Sequence, residues 1–429
     1  MEELILFIII SIAKVVGITF VLTLPIIAYS VYAERRFAAI IQDRVGPNRA
    51  GIPLTIFGFK KDINFFGLLQ PLADGLKFIL KEDFVPSHVN KFFFWLAPAL
   101  TMVPALVTLS VVPFGSELFG EKLVIADVSV GPLLIFAVAS LSVYGITLAG
   151  WASNNKYSFF GGVRSCAQMI SYEIALGLSV IPVLMHFGDL NLSNIVQQQA
   201  DSGWLILPLW NESGHMFSAA FWSSPETHER LLLWIPMIIS FFIFTISIFA
   251  ETNRMPFDLP ECETELVGGY HTEYSSMKFA LFFLGEYAAM IVGSALIVTL
   301  FLGGWSIGFG ADAWVISTFG DWAGLIHLGA FLTKLVAFIL FFILIRWTVP
   351  RFRYDQLMKL GWVVFFELAL INILIATVIM AAPPMIERGE TIALTALIIG
   401  VVAFSVLMFY IAKSLERMLA SDTKKEAQS

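Results

Sequence analysis

Leu231-Leu-Leu-Trp-Ile-Pro-Met-Ile-Ile-Ser-Phe-Phe-Ile-Phe-Thr-Ile-Ser-Ile-Phe-Ala250, a run without a charged residue, passes directly into Glu251-Thr-Asn-Arg-Met-Pro-Phe-Asp-Leu-Pro-Glu-Cys-Glu-Thr-Glu265. About 20 apolar residues suffice to cross a hydrocarbon core as a helix. A second such run follows near residue 279, so a dense acidic loop is wedged between two membrane-crossing segments.

The whole chain repeats this pattern. Its 429 residues are 58% hydrophobic and 14% charged, with mean hydropathy +0.82 and 40 Phe, a composition that excludes a soluble globule. Nine apolar runs lie near residues 4–33, 92–113, 131–151, 167–187, 231–250, 279–302, 326–348, 363–382 and 392–413. Runs this long without alternation exclude barrel strands, so the fold class is all-α, a polytopic membrane protein of about nine helices. Residues 1–420 read as a single membrane domain and residues 421–429 as a polar tail. The first run opens on Met-Glu-Glu, has no basic n-region and outlasts a signal-peptide core, so it reads as a retained helix. Its 30 residues span about 45 Å against a core of about 30 Å, so it should tilt strongly or project from the bilayer.

Charge sets the expected orientation. Alternate loops (34–91, 152–166, 251–278, 346–362) and the tail hold 21 of the 26 Lys and Arg. The positive-inside rule puts the N-terminus outside and the C-terminus in the cytoplasm. Cys166 and Cys262 both fall at cytoplasmic loops, and the six His show no metal-ligand spacing, so no disulfide, iron–sulfur cluster or metal site is expected. No phosphate-binding glycine motif or nucleic-acid signature is present.

Ionisable residues inside membrane segments are costly and mark functional sites. Glu173, Glu286 and Glu367 lie about 6, 7 and 4 residues inside their runs, hence about 6–11 Å from the cytoplasmic ends. Glu251 caps the fifth run on the same side. Four acids in one half of the membrane suggest a hydrated cavity open to the cytoplasm, with Lys14 and Lys334 near its closed end. Private salt bridges between helices are the simpler alternative. Gly67-Leu-Leu-Gln-Pro-Leu-Ala-Asp-Gly-Leu-Lys77 has apolar and charged residues at helical spacing and reads as an interfacial amphipathic helix.

Glu34-Arg35, Arg44-Val-Gly-Pro-Asn-Arg49, the Gly67–Lys77 segment, Ser171-Tyr-Glu173, Glu251-Thr-Asn-Arg254, Pro256-Phe-Asp-Leu-Pro-Glu-Cys-Glu-Thr-Glu-Leu-Val267 and Pro350-Arg-Phe-Arg-Tyr-Asp-Gln356 resemble, in order, the H-subunit family of bacterial NADH:quinone oxidoreductase (respiratory complex I), whose mitochondrial counterpart is NADH dehydrogenase subunit 1. The resemblance implies a multi-pass subunit of the bacterial cytoplasmic (inner) membrane, part of a proton-translocating translocase (EC 7.1.1.-) and not catalytic alone. It implies quinone as substrate, no redox centre on this chain, and flavin and iron–sulfur clusters on partners. Those partners would be hydrophilic-arm subunits and neighbouring small and antiporter-like membrane subunits. Glu34, Arg35, Asp74, Arg254, Asp258, Glu261, Glu263, Glu265, Arg351 and Arg353 would line the quinone tunnel and the coupling loop. Glu173, Glu251 and Glu286 would form the proton path. Pro256 and Pro260 would restrict the acidic loop, with Gly268-Gly269 as its hinge.

Three segments depart from the family pattern: an insertion near 52–66, a long outer segment at 188–230, and the ninth helix. Related hydrogenase or ferredoxin-driven complexes share the scaffold. An autonomous transporter also suits intramembrane acids, although the inverted repeats of transporters are not evident.

Overall fold

Long apolar runs leave the backbone no partner but itself in a bilayer, and the chain answers with helices. The computed structural model describes residues 2–51, 66–207, 210–211, 214–215, 218, 222, 225–261, 267–387, 394–408, 410 and 413. Among the described residues, eight helical segments are long and apolar enough to cross a membrane, making this an all-α polytopic membrane protein.

In chain order, α1 is the span Ile5–Ile41, α2 is Gln70–Leu80, α3 is the span Lys91–Val111 and α4 is the span Gly131–Ala152, interrupted at Ser140. Helix α5 is Lys156–Phe187, α6 is Leu192–Ser202, α7 is Pro225–Glu251 and α8 is Ser276–Phe301. Helix α9 is Ala311–Phe319, α10 is Ala323–Thr348, α11 is the span Tyr354–Pro383 and α12 is Leu394–Met408. Only short two-stranded ribbons interrupt the helices among the described residues: β1, Glu117–Leu118, pairs antiparallel with β2, Glu121–Lys122, and β3, Trp210–Asn211, with β4, Gly214–His215.

Several helices outrun their apolar cores. Helix α1 continues through Glu34 and Arg35 to Ile41, so these charges ride on a helix instead of opening a loop. Helix α5 begins at Lys156, capped by the Asn155 side chain, and Glu173 therefore lies well inside it. Helix α11 likewise starts at Tyr354, ahead of Glu367. In α1 and α11 the added Arg, Lys and Gln are good helix formers that lower local hydropathy without ending the helix, and in α5 the added turn carries Gly161-Gly162, where the backbones of Gly150 and Gly269 pack closely. The ninth run is described over Leu394–Met408. The 421–429 tail and the 52–66 insertion, Phe66 excepted, lie outside the described residues.

Helix α8 is the axis of the bundle, packing against α3, α7 and α10, with α1, α2 and α6 at its flanks. Helix α5 packs along α4, α7 and α11. Aromatic contacts fill the seam between α7, α8 and α10, including Phe249 stacked on Phe342 at 3.8 Å and Phe244 against Phe301 at 5.6 Å. In contrast α2 exposes Leu72, Leu76, Ile79 and Leu80 on one side, as expected of a helix lying in a membrane interface.

A buried charge network at the end of the bundle

Where α7 ends, the chain turns sharply, and Gln168 of α5 fixes the turn. The buried Gln168 amide nitrogen lies 2.8 Å from the Ala250 carbonyl, 3.1 Å from Asn253 Oδ1 and 2.9 Å from the Phe257 carbonyl. Asn253 in turn donates to Ser165 at 3.1 Å. These bonds satisfy backbone groups that a helix end leaves open and aim Arg254 into the bundle.

Arg254, only 5% exposed, sits between two carboxylates. Its Nε is 2.6 Å from Glu286 of α8, and its Nη1 is 3.1 Å from Glu34 of α1. The guanidinium also lies over the Tyr287 ring at 3.9 Å, a cation–π contact that strengthens as water is excluded. Glu34 is also held by Arg346, in the last turn of α10, and by the Tyr287 hydroxyl. Two carboxylates and two guanidinium groups thus form one set drawn from α1, α8, α10 and the loop after α7, buried except at Arg346, which is partly exposed. Burial works against the Arg254 charge, but the neighbouring Glu286, Tyr287 and Glu34 outweigh it and hold the guanidinium protonated well above its ordinary value.

The network extends both ways. Outward from Glu34, its neighbour Arg35 pairs with Asp74 of α2 at 2.5 Å, and Gln70 donates to the same carboxylate at 2.9 Å. Inward, Glu286 and Glu251 line one cavity of about 60 Å³ between α3, α4, α7 and α8, together with Thr101, Ser142 and Asn253. One water needs about 10–15 Å³ and two to four polar partners, so this space accommodates about four. Glu173 is half-buried on α5 and accepts from Ser140, at the interruption of α4. It is close enough to Glu251 for the two carboxyls to interact.

Asp258 pairs with Arg351 at 3.1 Å, and burial pushes its carboxyl up against the pull of the arginines. Glu261 accepts from the Tyr270 hydroxyl at 2.8 Å; burial, then repulsion by Asp258, pushes it up to about 7. Burial and Glu261 also push the Tyr270 hydroxyl up. Glu263, Glu265 and Cys262 lie outside the described residues. Arg353 is exposed and pairs locally with Asp355 at 3.6 Å, apart from the network. Glu367 is half-buried on α11.

Two expectations change in detail. Gly269 does not act as a free hinge: its φ is +63°, and a Cβ there would lie 1.9 Å from the Pro260 carbonyl oxygen, so the loop is pinned where only glycine fits. Lys14 and Lys334, expected near the cavity's closed end, are not among the residues that line it. Lys14 pairs with Glu121 at 2.9 Å, while the Lys334 ammonium is held by backbone carbonyls 302, 304 and 306. Arg346, Tyr287 and Gln168 are essential parts of the arrangement that the sequence reading missed. Arg346 looked like one more loop cation, and Tyr287 and Gln168 carry no charge to mark them.

A family model described as NADH dehydrogenase matches residues 13–377. Among curated proteins, an NADH-quinone oxidoreductase H subunit of Cytophaga hutchinsonii is 45% identical over 84% of this chain and 94% of its own length. The H subunit of Flavobacterium johnsoniae is 44% identical over 84% of the chain and 92% of the relative, and that of Rickettsia typhi 45% over 85% and 91%.

Proposed function

The chain belongs to the H-subunit family of NADH-quinone oxidoreductases, and we propose that it serves in such a complex by forming much of the quinone-binding tunnel and coupling quinone reduction to proton movement through its intramembrane glutamates. In this reading it is a multi-pass protein of the bacterial inner membrane, with its charged loops on the cytoplasmic side. Flavin and iron–sulfur clusters belong to hydrophilic-arm partners, and small and antiporter-like subunits flank the membrane domain. The chain supplies no redox centre; its part of the translocase reaction is electrostatic.

The observation that carries this reading is the linked set Glu34, Arg254, Arg346 and Glu286, with the Arg35–Asp74 pair beside it and, beyond Glu286, the cavity it shares with Glu251. Reducing quinone to quinol consumes two electrons and two protons and changes the field on nearby groups. With Glu34, Arg254 and Glu286 largely shielded from solvent, that change favours one pairing of Arg254 over the other. A pair of unit charges about 4 Å apart at an effective dielectric near 20 interacts by about 4 kcal/mol, enough to redistribute protons between the carboxyls. When Arg254 favours Glu34, Glu286 loses its counter-ion and becomes the group that takes a proton from the cavity. The reverse shift expels it towards Glu251 and Glu173.

Replacing Glu286 or Glu173 with Gln in the assembled complex is the test. We expect NADH:quinone reduction and proton pumping to fall together, normalised to complex content. Unaltered pumping and reduction in both variants would remove the relay.

A further inference from the structure

At the opposite end of the bundle from the charge network lies a second polar cluster, built around a histidine with no exposed surface. His327, in the first turns of α10, is 0% exposed. Its Nδ1 is 2.7 Å from Ser116 Oγ, just before β1, and its Nε2 is 3.3 Å from Asp312 Oδ1 in α9. Asp312 is held in place by the Ser306 hydroxyl at 2.6 Å and the Ile307 amide at 2.8 Å. Trp305 lies along the imidazole at 4.7 Å. Ser116 is only half-buried and lines a cavity of about 630 Å³, whose wall also carries Glu117, Lys122, Asn194 and Asp321.

We propose that Ser116, His327 and Asp312 form a proton-exchange site at the floor of this cavity, through which the buried imidazole takes protons from, and returns them to, the aqueous phase on that side of the membrane. The proposal deepens the proton-moving reading above and rests on it, with this cavity on the outer face.

The geometry suits both protonation states of the ring. In the neutral form, with hydrogen on Nε2, that nitrogen faces the Asp312 carboxylate at 3.3 Å and Nδ1 accepts from the Ser116 hydroxyl. In the imidazolium both nitrogens donate, and the Ser116 hydroxyl turns towards the cavity, since a serine oxygen serves as donor or acceptor. A hydronium in the cavity gives its proton to Ser116 Oγ as the hydroxyl hydrogen passes to Nδ1, leaving water and an imidazolium paired with a carboxylate. The bond to Ser116 persists in either direction, and the charge gained is matched by Asp312. The other charged groups facing the cluster are Lys334 on the same helix, reached through Ser306, whose carbonyl accepts from the ammonium at 2.6 Å, and the cavity-wall Glu117, Lys122 and Asp321. Helix α10 also carries Arg346 at its far end, so the site and the Glu34 network share one rigid element.

Inverted membrane vesicles containing the whole complex test this, because their interior corresponds to the outer phase. Interior pH is stepped from about 5.5 to 8.5 with exterior pH fixed, and protons pumped per NADH are measured. Wild type should vary about threefold or more across this window, and His327→Gln should vary less than about 1.5-fold, its uncoupled NADH:quinone reduction staying within about twofold of wild type. Ser116→Ala, which leaves the buried ring in place, should displace the midpoint and decides the matter if His327→Gln fails to assemble. A flat wild-type profile, or variant profiles that superimpose on wild type, overturns the proposal. Glu286→Gln in the same vesicles separates the two readings: if it abolishes pumping while the outer variants behave as wild type, only the exchange site falls, and if it also pumps normally, the relay reading falls first.

Discussion

Glu261→Gln should abolish a pH dependence of the loop that follows α7. Burial, then Asp258, raises the Glu261 carboxyl from 4.5 to about 7, so ionising it costs the folded loop about 3 kcal/mol relative to the unfolded chain. Below pH 4.5 both states hold the proton and nothing is lost. As pH rises towards 7 the unfolded state ionises first, so stability falls across this window and the full cost is present above it. Between pH 5.5 and 8 the fall is about 2 kcal/mol, or about thirtyfold in the opening equilibrium. The amide of Gln stays neutral and still accepts from Tyr270. Hydrogen exchange of peptides covering 254–261 and 267–275, measured in the intact complex and corrected for intrinsic rates, reads the effect directly. Wild-type protection should drop by that factor between the two pH values and the variant's should not. Parallel profiles for the two proteins would refute the assignment of a strained, buried carboxyl.

Arg254→Gln leaves Glu34 and Glu286 sharing Arg346, whose side chain is 35% exposed. Breaking a buried pair costs about 3–5 kcal/mol, so quinone reduction per assembled complex should fall by well over tenfold, and Arg346→Gln should cost less; the reverse ranking in reductase assays would contradict the geometry. Gly269→Ala forces a side chain into the Pro260 carbonyl at a positive φ. The backbone term alone costs about 1–2 kcal/mol, so complex content on native gels should drop, while Gly75→Ala, with open space around it, should assemble normally.

The helical skeleton was legible because bilayer-length apolar runs admit one solution. The ends of α1, α5 and α11 were not, because Glu34 and Arg35, Lys156 and Arg164, and Asp355 and Lys359 dilute hydropathy while the helix continues. Glu34, Arg254 and Glu286 stood out as charges in or beside apolar surroundings, and the structure joins them. Their partners were hidden for different reasons. Arg346 is distinguished from other loop cations only by the turn of helix that points it at Glu34. Gln168 and Tyr287 matter through hydrogen bonds to groups more than 80 residues away in the chain, a relation no local pattern encodes. The Ser116–His327–Asp312 cluster likewise exists only once β1, α9 and α10 meet.

The length of α1 ties the charge network to the lipid around it. Its 37 residues extend about 55 Å, and even a tilt of 40° leaves a vertical reach of about 42 Å against a hydrocarbon layer of about 30 Å. Part of the helix must therefore stand clear of the acyl chains, and Glu34, two turns from its end, lies about where it emerges. A thinner bilayer brings Glu34 and its guanidinium partners towards the headgroups and water; a thicker one draws them into hydrocarbon. Acyl-chain length thereby tunes how strongly these charges feel one another.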